Sequence, residues 1–369
     1  MKSAFKIISR PVVAPAAAWL ILAGTQLGIS ESLGNAYLII MAAGLIGAVL
    51  AAVHHAEVVA HKLGEPFGTL LLAVAITIIE VALILSLMLA GGPETAALAR
   101  DTVFAAVMII VSGIVGLCLL IGSVMHKEQV FKLQGANTAL TTLTAIMVLT
   151  LVLPNYTTTS LGPMYSASQL AFIAVISLIL YGTFVFVQVV RHRNYFLDSA
   201  ETDIEEGNTP TTSTKVAYSR VAYLSAALLL VCLVAVVLLA KSLAPSIEAL
   251  VISLGAPNQL VGVIIASIVL LPEGLAAVRA ARKNMFQTSL NLALGSALAS
   301  IGLTIPAVAI LSLTMGWTLV LGIDMKSTVL LLLALFVTSL SLSTGRTNIL
   351  QGVILLVIFG VYLFTTVIP

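Results

Sequence analysis

The chain has 369 residues, of which 60% are apolar and only 9% are charged, with a net charge of +2. Soluble domains carry roughly 25% charged residues, so an ordinary soluble enzyme is excluded. The basic residues are scattered over short loops and offer no surface for nucleic acid.

The apolar residues fall in long runs, many of which reach the ~20 residues a bilayer-crossing helix needs. Backbone polar groups in lipid must be satisfied within the segment, so these runs read as helices. The alternating segments of roughly ten residues that a β-barrel requires are not seen. In chain order the spans are expected at 12–29, 36–54, 67–90, 102–124, 136–154, 166–190, 220–240, 258–281, 287–314, 327–343 and 348–367, eleven in all. The basic start (Lys2, Lys6, Arg10) ahead of an apolar run resembles a signal peptide. An uncleaved first helix fits the topology better. With the N-terminus inside, 14 of the 17 basic residues fall in inside segments, and only Arg100, Lys241 and Lys326 fall outside. The positive-inside rule therefore favours eleven spans, a cytoplasmic N-terminus and an external C-terminus in the cell's inner membrane. Cys118 and Cys232 both lie within apolar runs and read as buried thiols rather than a disulfide.

The fold class expected is an all-α integral membrane protein, with one extra helix (1–35) followed by two five-helix repeats (36–190 and 220–369). An odd number of spans per repeat inverts the second repeat relative to the first, the arrangement of transporters whose site lies at the repeat interface near the midplane. The long polar stretch 191–219 divides the repeats on the cytoplasmic side. Its acids, Asp198, Glu201, Asp203, Glu205 and Glu206, make it a solvated linker or a cation-sensing segment.

Acids inside a membrane run are costly and point to function. Glu80 ends Ile76-Thr-Ile-Ile-Glu80 in the third span, and Glu273 ends Leu270-Leu-Pro-Glu273 in the eighth. Each is on the second span of its repeat, so the repeats present equivalent carboxylates. Such a pair can hold protons, or release them and bind a hard cation through its oxygens. Competition between the two gives exchange. Thr77, three residues before Glu80, shares its helix face. Asn291, Ser296 and Ser300 in the ninth span are further candidate ligands, with Ser112 in the fourth as a weaker counterpart. Pro272 should free nearby backbone carbonyls. His55, Glu57 and His61, near the cytoplasmic end of the second span, read as an interfacial segment or a pH sensor.

Several of these stretches resemble the cation/proton exchanger branch of the calcium/cation antiporter superfamily. They are His55-Ala-Glu-Val-Val-Ala-His61, Gly64-Glu-Pro-Phe-Gly68, Pro272-Glu-Gly274, Asn291-Leu-Ala-Leu-Gly-Ser296 and Ser343-Thr-Gly-Arg-Thr-Asn348. The resemblance covers nearly the whole chain. It implies that Glu80 and Glu273 are the ion-binding acids of the two repeats and that Ser296 lies near them. The chain departs from the family's Gly-Asn-Ala-x-Glu at both acids, and Ala299 stands where a glutamine often follows the Gly-Ser pair. Fewer neutral ligands weaken strict calcium selectivity. The expected function is antiport of cytoplasmic Ca²⁺, with Na⁺ or K⁺ as further cargo, against H⁺. The alternatives are a Na⁺ or K⁺/H⁺ antiporter with little Ca²⁺ activity and a cation channel. Neither enzymatic activity nor a cofactor is expected. The expected partners are inorganic cations, protons and lipid, with a homo-oligomer left open.

Overall fold

The computed structural model describes residues 2–27, 34–63, 67–197, 212–253, 257 and 259–368. The described residues form helices and no strand, apart from two isolated bridges, Val130 with Arg346 and Met164 with Val320. In chain order the helices are α1 (Lys2–Gln26), α2 (Asn35–Leu63), α3 (Phe67–Gly91), α4 (Leu98–His126), α5 (Leu133–Tyr156) and α6 (Ala167–Arg191). They continue as α7 (Thr212–Ser253), α8 (Gln259–Arg282), α9 (Phe286–Met315), α10 (Met325–Leu342) and α11 (Ile349–Val367). Among the described residues, eight helices are long and apolar enough to cross a membrane, or nine if the two arms of α8, bent by 50°, count as one span. Val13–Thr25 and Ala73–Leu89 are shorter apolar helices within α1 and α3. The bend in α8 separates Leu271 from Glu273, where Pro272 lacks the N–H needed to continue the ladder. α7 begins at Thr212 and ends at Ser253, beyond both limits of the expected 220–240.

Local chemistry sets several ends. Ser166 and Gln169 form a capping box at the start of α6. The Asp324 side chain accepts from the Ser327 N–H at the start of α10, and Asn348 accepts from Leu350 N–H at the start of α11. Gly316, at φ 67°, closes α9 in the left-handed conformation glycine allows. Cys118 and Cys232 are buried free thiols.

Two loop clusters define opposite faces. On one, Val320 N–H donates to Ala96 (3.1 Å), Gly322 N–H to Pro163 (3.0 Å) and Ile323 N–H to Leu151 (2.9 Å). On the other, Phe131 N–H donates to Gly345 and Thr347 N–H to Gln129, both at 3.0 Å. Lys127, Lys132, Arg282, Lys283 and Arg346 gather on this second face, whereas Arg100 and Lys326 lie on the first. α3 and α9 therefore run in the same direction, ending on the face of Arg100 and Lys326.

The interior is set by α4 and α9. Of their apolar windows 83% and 72% are buried, against 28% for α11, which turns most of its surface outward. α9 packs on α3, α4, α5, α6 and α8. α4 packs on α8, α9, α10 and α11. α1, α2 and α7 pack together and meet the rest through α3 and α8. Lipid gives no hydrophobic drive for helices to associate, so close backbone approach matters. At the α4–α11 crossing, a Cβ on Gly352 would lie 2.9 Å from the Gly116 carbonyl oxygen, so glycine is needed there.

Candidate functional site

Glu80 and Glu273 retain 2% and 3% of their exposure although they sit on different helices, α3 and α8. Both are bound by α9. The Ser300 hydroxyl donates to Glu80 Oε1 at 2.7 Å, and the Ser296 hydroxyl donates to Glu273 Oε2. Ser296 and Ser300 are four residues apart, about one helical turn or roughly 6 Å of rise. One turn of α9 thus brings the two carboxylates together, each held by a charge-assisted hydrogen bond. Ser296 and Ser300 are themselves buried, at 3% and 0% exposure. Carboxylates in such surroundings need a proton or a cation as well as these donors. Among the described residues no cluster of three or more His, Cys, Asp or Glu suits a resident metal. Two carboxylates and their hydroxyls instead form a small all-oxygen site suited to an exchangeable hard cation.

The other expected residues are placed differently. Thr77 is buried, and its hydroxyl donates to Ala73 O at 2.9 Å, one turn back in α3. Ser112 likewise donates to Met108 O at 2.5 Å, inside a π-helical turn at Ile109–Ile114. Asn291 is not brought to the acids. Its Nδ2 donates to the Phe196 carbonyl, and its Oδ1 accepts from Gln287 Nε2 at 3.0 Å. His55 is buried in α2, with its ring edge-on to His54 at 5.7 Å between centroids. The side chains of Glu57 and His61 lie outside the described residues, as do Asp198, Glu201, Asp203, Glu205 and Glu206.

The sequence reading missed a buried amide network on the basic face. Gln129 Nε2 donates to Ala281 O at 2.7 Å and to Asn284 Oδ1 at 3.0 Å, and Gln129 N–H donates to Thr347 Oγ1 at 2.8 Å. Lys132 N–H donates to Gln287 Oε1 at 2.7 Å. The network ties the C-terminal end of α8 to the loops after α4 and α10. The only advance signal was the four-residue spacing of Gln287 and Asn291 within an apolar helix.

These features are two buried carboxylates and two hydroxyls at one helix crossing, a donor set suited to a hard cation. The chain matches the family described as sodium/calcium exchanger protein over residues 33–190 and 224–368, and it belongs to that family. It is a multi-pass membrane antiporter of the cation/proton or sodium/calcium exchanger type, not an enzyme, and cations are its transported substrates. The Sinorhizobium fredii protein y4hA is 46% identical over 333 residues, covering 90% of this chain and 89% of that one. The sodium-potassium/proton antiporter ChaA of Escherichia coli is 34% identical over 322 residues, covering 87% and 86%. Among solved structures, native YfkE superposes with a TM-score of 0.71 at 18% identity, covering 97% of this chain and 99% of that one. The H⁺/Ca²⁺ exchanger CAX gives 0.65 at 15%, covering 95% and 88%.

Proposed function

We propose that the chain exchanges cytoplasmic cations for external protons by alternating access, with Glu80 and Glu273 carrying proton and cation in turn. The observation that carries this reading is the pair of buried carboxylates held by successive turns of α9. Cation binding displaces protons from the same oxygens, which couples the two fluxes. A channel would more naturally use a ring of charge or a selectivity filter.

The architecture belonging to this reading is eleven spans, with α1 added to inverted repeats α2–α6 and α7–α11. Its support is a contact pattern that maps onto itself when the halves are exchanged. α3 packs on α9 as α8 packs on α4, and α9 packs on α6 as α4 packs on α11. The family match also falls in two segments, one per half. The basic face is assigned to the cytoplasm on the positive-inside rule, in the inner membrane, with the N-terminus inside and the C-terminus outside.

Na⁺ and K⁺ are the first cargo of this reading. The donor set is short of neutral ligands, since Asn291 is engaged elsewhere and Ala299 supplies none. The 34% identical relative is named for sodium, potassium and protons. Ca²⁺ is a second cargo, favoured by two facing carboxylates and by the 24% identical Ca²⁺/H⁺ antiporter of Aphanothece halophytica. The test is proton movement in everted vesicles on addition of Na⁺, K⁺ or Ca²⁺ separately. Cation uptake matched by stoichiometric proton release is expected. Cation movement without proton exchange would replace the antiporter with a channel.

A further inference from the structure

The hydroxyls that bind the two acids continue along α9. Ser296, Ser300 and Thr304 are each four residues apart, so successive members drift by only about 40° around the helix. The opposite face of α9 is occupied by α6, because a Cβ on Gly302 would lie 2.8 Å from Tyr181 Cβ. Thr304 is about 200° from Gly302, so it looks inward, on the side that carries the site. It is completely buried, with 0% exposure.

Its hydroxyl departs from the usual helical pattern. A threonine or serine inside a helix commonly donates to the carbonyl four residues back. Thr77, Thr102, Ser112, Thr150 and Thr366 all do so. Thr304 does not, and its Oγ1 has no hydrogen-bond partner among the described residues. A buried hydroxyl without a partner is unfavourable. Ser123, Ser289 and Thr338 are also without one, but Ser123 and Thr338 are on other helices and Ser289 stands beside the Cys118 thiol. Thr304 alone extends the line of site hydroxyls past Ser300.

One turn beyond the acids, toward the face of Arg100 and Lys326, α3 and α8 carry apolar residues. α3 and α9 run in the same direction, so Thr304 stands one turn beyond Ser300 as Ile84 stands one turn beyond Glu80. Ile84 on α3 and Leu270 on α8 are buried and apolar. A cation passing between the acids and the face of Arg100 and Lys326 would meet no oxygen from these residues.

We propose that Thr304 is a third cation-binding position, its Oγ1 supplying a neutral oxygen to the transported cation on the outer side of Glu80. This rests on the antiporter reading above. The full-length protein in vesicles tests it with Thr304→Val, which keeps the branched shape and removes the hydroxyl, and with Thr304→Ser, which restores a hydroxyl. Cation-driven proton exchange is measured against Na⁺, K⁺ and Ca²⁺ concentration. Thr304→Val should raise the KM for the transported cation about three- to tenfold, the range one such contact is worth, with Thr304→Ser close to the parent. An unchanged KM for all three cations, with a higher melting temperature from losing an unsatisfied hydroxyl, would overturn the proposal.

If Thr304→Val does not insert, Thr304→Cys in a chain carrying Cys118→Ala and Cys232→Ala is treated with a water-soluble thiol reagent. Modification that the cation slows supports the position. Absence of modification, or modification indifferent to cation, overturns it. Glu80→Gln and Glu273→Gln run in parallel. Normal exchange in those variants would sink the antiporter site itself, whereas inactive acid variants beside a normal Thr304→Val would sink only this position.

Discussion

α4–α6 and α9–α11 hold matching positions in the helix contact pattern, yet they are built differently. Each helix of the first set contains a π-helical turn, at Ile109–Ile114, Val148–Val152 and Val187–Arg191. α9, α10 and α11 contain none. A π turn inserts one extra residue, so side chains after it are rotated by about 100° relative to an unbroken α-helix. Ser112 lies within such a turn and bonds its own helix. Ser296 and Ser300, on unbroken α9, reach Glu273 and Glu80. A scaffold with paired contacts therefore draws its hydroxyl donors from one side. On the proposed inverted repeats each half supplies one acid, whereas both hydroxyls that bind the acids come from α9.

The strongest way to break this comparison is to remove the acids, which it treats as equivalent. Glu80→Gln and Glu273→Gln should each abolish cation-driven proton exchange, leaving less than about 1% of the parent rate. This corresponds to losing about 3 kcal/mol or more of charge-assisted binding. An amide neither carries the proton nor supplies the charge. Exchange by either variant within a few-fold of the parent would remove that residue from the site, and unequal loss would show that the two sets contribute unequally to the acids as well.

The hydroxyls test the asymmetry directly. Ser296→Ala and Ser300→Ala should each raise the KM for the transported cation about tenfold, because each removes a hydrogen bond to a charged group. Ser112→Ala should stay within about twofold, since its hydroxyl is spent on the Met108 carbonyl. Equal effects from Ser112 and Ser296 would restore a symmetric site.

Much of this was legible in the sequence. Long apolar runs gave the helices, and the two acids stood out because no other Asp or Glu falls inside those runs. Ser296 and Ser300 were legible from their spacing, one turn apart. The place of Asn291 was not, because its partner is the backbone carbonyl of Phe196, 95 residues earlier, and a carbonyl leaves no mark in a sequence. Gln129 was hidden for the same reason, since it binds the Ala281 carbonyl 152 residues away. The π turns carry no residue signature either. Thr304 looked like any helical threonine until its missing back-bond was seen.

Asn291 supplies the next test, of stability rather than transport. It shares α9 with the two serines but binds Phe196 and Gln287 on the basic face. Asn291→Ala leaves two buried groups without partners and should cost about 1–3 kcal/mol, read as a lower melting temperature of the purified protein. The cation KM should remain within about twofold of the parent. A tenfold change in KM with an unaltered melting temperature would return Asn291 to the cation site.

The smallest effect is expected from the segment between the two halves. Asp198, Glu201, Asp203, Glu205 and Glu206 follow within ten residues of Phe196, the residue Asn291 holds. They lack the Asp-x-Asp-x-Asp-Gly spacing and terminal glutamate of a specific calcium loop. Clustered acids still concentrate cations electrostatically, over a reach of about 8 Å at physiological salt. Changing all five to the corresponding amides should leave the maximal exchange rate within about twofold. It should raise the half-saturating cytoplasmic cation concentration by a few-fold at low ionic strength, and that shift should vanish in high salt, where screening already removes the attraction. Loss of exchange in a correctly inserted variant would mean that the segment takes part in transport itself. An unchanged cation and salt dependence would reduce it to a tether between α6 and α7.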